Sequence, residues 1–364
     1  MASHSDTIMD DRKADRPDSP QVAGVRANHR FDEGALQAWL EANLEAFEPP
    51  LQVRQFTRGA SNPTFLLTSG DRRWVLRKKP PGALLPSAHQ VDREFRVMKA
   101  LGGAGFPVPR MRALCEDASV IGTAFYVVDF MDGRIFRDAR MPGLEAAERR
   151  ALYDDLNATL ARLHGIDFAA IGLSDYGKPG NYFARQISRW TSQYVKDVDA
   201  GRDPHLDRLI EWLPANIPKG DDIGIVHGDY RADNLIFHPA EPRVIAVLDW
   251  ELSTLGHPLA DFAYHLMMYR MPLSVFAGLK GHDLEALNIP SESEYVEAYC
   301  RRTGREGIPN LAFYIVFNMF RLAAIFHGIK GRMIRGNAAS AHAAAAAAKL
   351  PLIAEQAWRQ TGAA

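Results

Sequence analysis

The chain has 364 residues, room for about two domains of roughly 150 residues or one two-lobed unit, which excludes a disulfide-stapled miniprotein. With 47% hydrophobic and 24% charged residues it can bury a substantial core and is no disordered polymer. Lys plus Arg is 43 and Asp plus Glu is 44, so no global field favours nucleic acid or an anionic membrane, and any bound anion must be held by local design.

The first thirty residues are charged, carry Pro17 and Pro20 and lack an apolar core, so 1–30 reads as a disordered leader rather than a signal peptide. Patterning begins near Phe31, where Leu36, Trp39, Leu40, Leu44 and Phe47 recur at helical spacing until Pro49 and Pro50. Residues 65–68 and 73–77 are strand-like and joined by Ser69-Gly70-Asp71, a hairpin signal. A proline-rich loop follows. Ser87 with Gln90 then reads as a capping box opening a helix, on which Val91, Phe95 and Met98 share a face and Glu94 sits at the edge of the buried stripe.

Residues 125–130 form the next strand, broken at Met131-Asp132-Gly133, where the lobe boundary is placed: 31–130 and 131–364. Beyond it, helical patterns cover 144–164, 182–195, 206–213, 292–303, 311–329 and the alanine-rich 338–358, interrupted by a β-rich island at 223–248. The apolar run 311–320 is short of the ~20 residues a bilayer span needs, so no membrane partner is expected. Cys115 and Cys300 lie far apart outside any CxxC pattern, which argues against disulfides and a cysteine zinc site and fits a cytoplasmic protein.

The island carries the chemistry. An apolar run leads into the polar loop 227–233, and 235–237 and 244–248 then form a hairpin. Because antiparallel strands return the chain to its starting edge, Asn234 and Asp249 should meet, with Asp229 beside them on the loop. Two oxygen ligands next to a further carboxylate suit magnesium, which keeps waters and shares phosphate oxygens. That pattern fits phosphoryl transfer, in which a loop Asp orients an attacking hydroxyl and accepts its proton.

HGDYRADN followed by LDWE resembles the Brenner motif and metal-binding Asp of the aminoglycoside phosphotransferase and choline kinase-like superfamily, and the resemblance runs from about Phe31 to the C-terminal helices. It implies an α+β, bilobal protein-kinase-like fold, with a β-rich N-lobe built on an antiparallel sheet and a mainly helical C-lobe. It also implies Asp229 as catalytic residue, Asn234 and Asp249 as ligands of Mg2+, ATP as co-substrate, and Asp261 as support for the catalytic loop. The segment 58–64, with Ser61 and Asn62, resembles the family's nucleotide-covering loop. Arg77 or Lys78 would supply the cation for the phosphates, with Glu94 as its helix-borne partner; strand alternation lets only one of the two basic side chains enter the cleft. Alignment with the family's Val-Leu-Lys pattern favours Arg77. Asp129 and Met131 fall on the hinge that would present backbone groups to adenine.

The segments RKKPPGALLPSAHQVDREFRVMKAL and FRLAAIFHGIKGRMIRGNA resemble the kinase-like domains fused to, or encoded beside, acyl-CoA dehydrogenases. The implied acceptor is a small-molecule alcohol, with a hydroxylated acyl-CoA preferred over an aminoglycoside. A catalytically silent nucleotide-binding module and an aminoglycoside kinase are the alternatives. Arg321, His327, Lys330, Arg332 and Arg335 form a basic run that would suit an anionic acceptor.

Overall fold

The computed structural model describes residues 21–57, 62–80, 90–276, 278–336 and 341–363. Its first part is a sheet of six strands: β1 (Val22–Ala23), β2 (Gln52–Phe56), β3 (Thr64–Ser69), β4 (Arg72–Lys78), β5 (Met111–Cys115) and β6 (Phe125–Asp129). The order is β1-β2-β3-β4-β6-β5, and every pairing is antiparallel. The expected 65–68/73–77 hairpin is present as β3 and β4, turning at Gly70, whose φ of 55° suits a residue without a side chain.

Three helices accompany this sheet: α1 (Glu33–Asn43), α2 (Val91–Gly103) and the short α3 (Ala118–Ile121). Alternation along the strands sorts their side chains. Phe65, Leu67, Trp74, Leu76, Phe125 and Val127 pack with Leu36 and Leu40 of α1, whereas Tyr126 and Val128 join α2 in the larger core. Full burial of each such apolar side chain stabilises by about 1.5–3 kcal/mol. Ser87 lies outside the described residues, so the expected capping box reduces to Gln90, which is the N-cap of α2 but makes no side-chain capping bond.

The leader expectation needs correction at its C-terminal end. Val22 and Ala23 pair with Phe56 and Gln55, and the Arg26 amide donates to Gln55 Oε1 at 3.0 Å. A strand of two residues has no period to betray it in the sequence. The rest of the leader, 1–20, lies outside the described residues.

The second part is mainly helical. Its elements are α4 (Ala146–His164), α5 (Tyr182–Lys196), α6 (Pro204–Ala215), β7 (Gly224–Val226), β8 (Leu235–Phe237), β9 (Val244–Val247), β10 (Thr254–Gly256), α7 (Pro258–Arg270), α8 (Leu273–Phe276), α9 (Glu292–Thr303), α10 (Leu311–Ile334) and α11 (Ala341–Gln360). Strands β8 and β9 form the expected hairpin, and β7 pairs with β10. Helix α10 runs past the expected end at 329 and is long and apolar enough to cross a membrane, yet 78% of its apolar window is buried inside the fold. It is the core helix against which α5, α7 and α11 pack.

Candidate active site

The loop between β7 and β8 is held from beneath by one carboxylate. Asp261, at the start of α7, accepts from the His227 amide at 2.6 Å and the Gly228 amide at 2.9 Å, and His164 Nε2 lies 3.3 Å away. Complete burial works against its charge, but the His164 hydrogen bond and the neighbouring His227 hold its carboxyl below the usual range. His227 is itself buried: Nε2 donates to the Leu248 carbonyl at 2.8 Å, and Nδ1 accepts from the Asp229 amide at 3.2 Å. One imidazole therefore ties the loop to the end of the hairpin.

Gly228 has φ +83°, and a Cβ there would sit 2.8 Å from the Leu252 carbonyl oxygen, so this turn admits no side chain. The turn directs Asp229 toward Asn234. Asn234 Nδ2 donates to Asp229 Oδ2 and to the Asp229 carbonyl, both at 2.9 Å. With its nitrogen engaged on that side, the amide offers its oxygen as the remaining polar group, the donor that a hard cation needs.

Asn234 and Asp249 are fifteen positions apart in sequence, but the β8–β9 ladder joins them. Leu235 pairs with Val247, and the Leu248 amide donates to the Asn234 carbonyl at 2.8 Å. Asp249 follows immediately in the left-handed region, with φ 65° and ψ 62°, an uncommon conformation for a residue with a side chain. Among the described residues no cluster of three His, Cys, Asp or Glu side chains has metal-binding geometry. Asn234 and Asp249 could hold a hard cation such as magnesium, which would complete its shell with water and phosphate oxygens.

Both residues face a cleft of about 460 Å³, whose lining includes Val75, Arg77, Val128, Met131, Asn234 and Asp249. That volume lies within the range of small-molecule sites. Register decides between the two candidate cations. Arg77 pairs with Tyr126 and Lys78 with Phe125, so Arg77 enters the cleft while Lys78 is buried on the opposite face beside the Phe31 ring. The Arg77 guanidinium reaches three carboxylates: Glu94 Oε2 at 3.2 Å, Asp249 Oδ1 at 2.6 Å and Glu251 Oε2 at 3.4 Å.

Glu94 is fully buried rather than at the edge of the stripe. It accepts from Tyr126 Oη at 3.0 Å and from Asn62 Nδ2 at 3.1 Å. Burial pushes its carboxyl up to about 7 against the pull of Arg77. The side chain of Asn62, expected on a nucleotide, is thus buried against Glu94 and braces the acid from behind. Ser61 lies outside the described residues. Met131 lines the cleft; the Asp129 side chain is engaged by Arg112 at 2.6 and 2.8 Å, so any contact it makes with a ligand falls to its backbone.

One contributor escaped the sequence, and another was read there for a different role. The Tyr264 hydroxyl donates to Asp229 Oδ1, and the Arg321 guanidinium lies 5.5 Å from the Tyr264 ring while donating to the Gly228 carbonyl at 2.9 Å. Tyr264 stands three residues after Asp261 on α7, and that i,i+3 spacing was the available signal. Burial pushes the Asp229 carboxyl up, while Arg231 and the Tyr264 hydroxyl draw it back. Three members of the basic run near the C-terminus are engaged by the protein itself: Arg321 holds Gly228, His327 bonds the Gly201 carbonyl, and Arg335 pairs with Asp197 and Asp199.

Residues 52–314 match the phosphotransferase enzyme family, APH. The chain belongs to that family. It is 46% identical over 326 residues to human acyl-CoA dehydrogenase family member 11 and 44% identical over 342 residues to mouse acyl-CoA dehydrogenase family member 10. Those stretches cover 88% and 93% of this chain but only 42% and 32% of the relatives, so the chain spans less than half their length. A solved Ralstonia eutropha protein named as an aminoglycoside phosphotransferase is 49% identical, with a TM-score of 0.84 over 92% of this chain and 99% of that one. Choline kinase from Cryptosporidium parvum shares the fold at 13% identity and TM-score 0.63, covering 91% of this chain and 97% of its own. An aminoglycoside phosphotransferase solved with ADP and hygromycin B does so at 15% identity and TM-score 0.58, covering 89% and 98%. The fold is protein-kinase-like, as expected.

Proposed function

We propose that the chain is an ATP- and magnesium-dependent phosphotransferase acting on the hydroxyl of a small molecule, with a hydroxyacyl-CoA as preferred acceptor. The observation that carries this reading is that the β8–β9 ladder brings Asn234, bonded to Asp229, level with Asp249, and that Asn234 and Asp249 line the 460 Å³ cleft. Residues 31–130 then cover the nucleotide and 131–364 carry the catalytic loop and acceptor site. Adenine lies against the 128–131 segment, and the Arg77 fork holds the inner phosphates with Glu94 fixing its angle.

A magnesium ion on Asn234 and Asp249 would neutralise charge on the phosphate tail. Asp229 orients the acceptor hydroxyl toward the terminal phosphorus and takes its proton as the new O–P bond forms. The acyl-CoA preference is supported by the names of the relatives and by the absence of a dense acidic run in the C-terminal helices, which a polycationic aminoglycoside would call for.

The test compares Asp229→Ala with Asp249→Ala. The first should abolish transfer while retaining MgATP binding; the second should weaken that binding as well. Turnover is followed with 3- and 4-hydroxyacyl-CoAs and with kanamycin. Transfer to kanamycin and to no acyl-CoA would overturn the acceptor preference, and MgATP binding without transfer to a broad alcohol panel would favour a silent nucleotide-binding module.

A further inference from the structure

The cleft holds one basic side chain that lacks a partner among the described residues. Its lining acids each have a basic partner: Asp129 with Arg112 at 2.6 Å, Asp132 with Arg73 at 3.1 Å, Asp233 with Arg231 at 2.5 Å and Asp249 with Arg77 at 2.6 Å. Arg137 lines the same cleft and is exposed, and among the described residues its side chain makes no hydrogen bond or ion pair. The nearest acid in sequence, Asp138, is engaged by Arg140 at 2.6 Å.

Arg137 also borders a second, smaller recess beside the catalytic loop, lined by Phe136, Ala139, Arg231, His265 and Met268 among others. It therefore stands at the junction of the two spaces. The chain just before it is anchored there: Arg134 and Phe237 exchange amide-to-carbonyl bonds of 2.8 Å, and the Phe136 ring packs 5.2 Å from that of Phe237. An anchored backbone carrying an unmatched guanidinium at a mouth shared by two cavities has the design of an oxyanion grip.

We infer that Arg137 binds a phosphate-type oxyanion at this junction: the terminal phosphoryl group of the nucleotide or an anionic group of the acceptor. The inference rests on the phosphotransferase reading above and extends it by adding a second cation to the cleft that Arg77 lines. A guanidinium there would stabilise the charge on the equatorial oxygens during transfer.

Calorimetric titrations of wild type, Arg137→Gln and Arg137→Lys decide it. The probes are MgADP, the magnesium complex of the non-hydrolysable analogue AMP-PNP, and 3-hydroxybutyryl-CoA added to MgADP-loaded protein. The expected result is a loss of about tenfold or more in Arg137→Gln for one of the last two probes, with MgADP unchanged and Arg137→Lys intermediate. Loss for AMP-PNP assigns the grip to the nucleotide, and loss for 3-hydroxybutyryl-CoA assigns it to the acceptor. Unchanged affinity for both overturns the inference. A wild type that binds neither nucleotide sinks the phosphotransferase reading and this inference together, a result distinct from a normal wild type matched by its variants.

Discussion

Arg77 and Asp249 stand 172 residues apart in the chain and touch across the cleft, Nη2 to Oδ1 at 2.6 Å. The same guanidinium holds Glu94 on α2, so one side chain links the sheet, the helix and the hairpin head. Lysine, a point charge, cannot serve both partners in that geometry. Arg77→Lys should weaken MgATP binding several-fold, read by titration. At pH 8, where Glu94 is charged beside it, Arg77→Ala leaves that acid buried without its cation and should lower stability by about 3 kcal/mol in urea unfolding. Adding Glu94→Gln to Arg77→Ala should recover much of that loss, because the stranded acid is gone.

Tyr264 acts on the proposed base. Its hydroxyl occupies one Asp229 oxygen and Asn234 the other, so the carboxylate is fixed from both sides. In Tyr264→Phe the Asp229 carboxyl loses a donor that favours its charged form, and its pKa rises further. A base works only when deprotonated, so turnover should fall off at a higher pH than in wild type as the solution is acidified. MgATP affinity should be unchanged. An acidic limb of the pH–rate profile identical in both proteins would remove Tyr264 from this role.

The hairpin head was legible because short continuous apolar runs flank a polar loop whose acids and amide fall at its ends, and strand pairing alone then forces Asn234 toward Asp249. The choice between Arg77 and Lys78 was not legible in the residues alone. Parity separates them, but which parity faces the cleft depends on the pairing of Arg77 with Tyr126, a contact 49 positions away. Helix α7 escaped the periodicity reading because all but one of its residues are buried; a helix apolar all round shows no stripe. The C-terminal basic run misled for the opposite reason. Arg321 and Arg335 look like a charged face in sequence, yet a carbonyl and two acids from distant segments engage them.

Glu94 gives a pH signature. Its folded carboxyl stands at about 7 against the ordinary 4.5, so between those values the folded chain holds a proton that the unfolded chain has released. The contribution to stability is complete below about pH 4.5 and is lost as pH rises through about 7. Glu94→Gln keeps the shape, and it can retain the bonds to Tyr126 and Asn62 while removing the titration. The difference in melting temperature, wild type minus variant, should therefore decline from pH 5 to pH 8. A difference flat across that range would show that Glu94 is ionised throughout.

Gly228 tests whether the loop needs its conformation or only its sequence neighbours. At φ +83° any L side chain is strained, and the Cβ of an alanine would meet the Leu252 carbonyl oxygen at 2.8 Å, a backbone atom that cannot swing aside. Gly228→Ala should therefore lower stability by more than about 1 kcal/mol in urea unfolding, even though Gly→Ala usually stabilises through the unfolded chain. Gly103, at the end of α2, has nothing within 4 Å of a built Cβ and no positive φ, so Gly103→Ala should be neutral or stabilising by up to about 1 kcal/mol. Because Asp261 and Arg321 grip both faces of the Gly228 backbone, the displacement must pass to Asp229. Gly228→Ala should then lose transfer out of proportion to its loss of stability, with MgATP affinity intact, whereas Gly103→Ala loses neither.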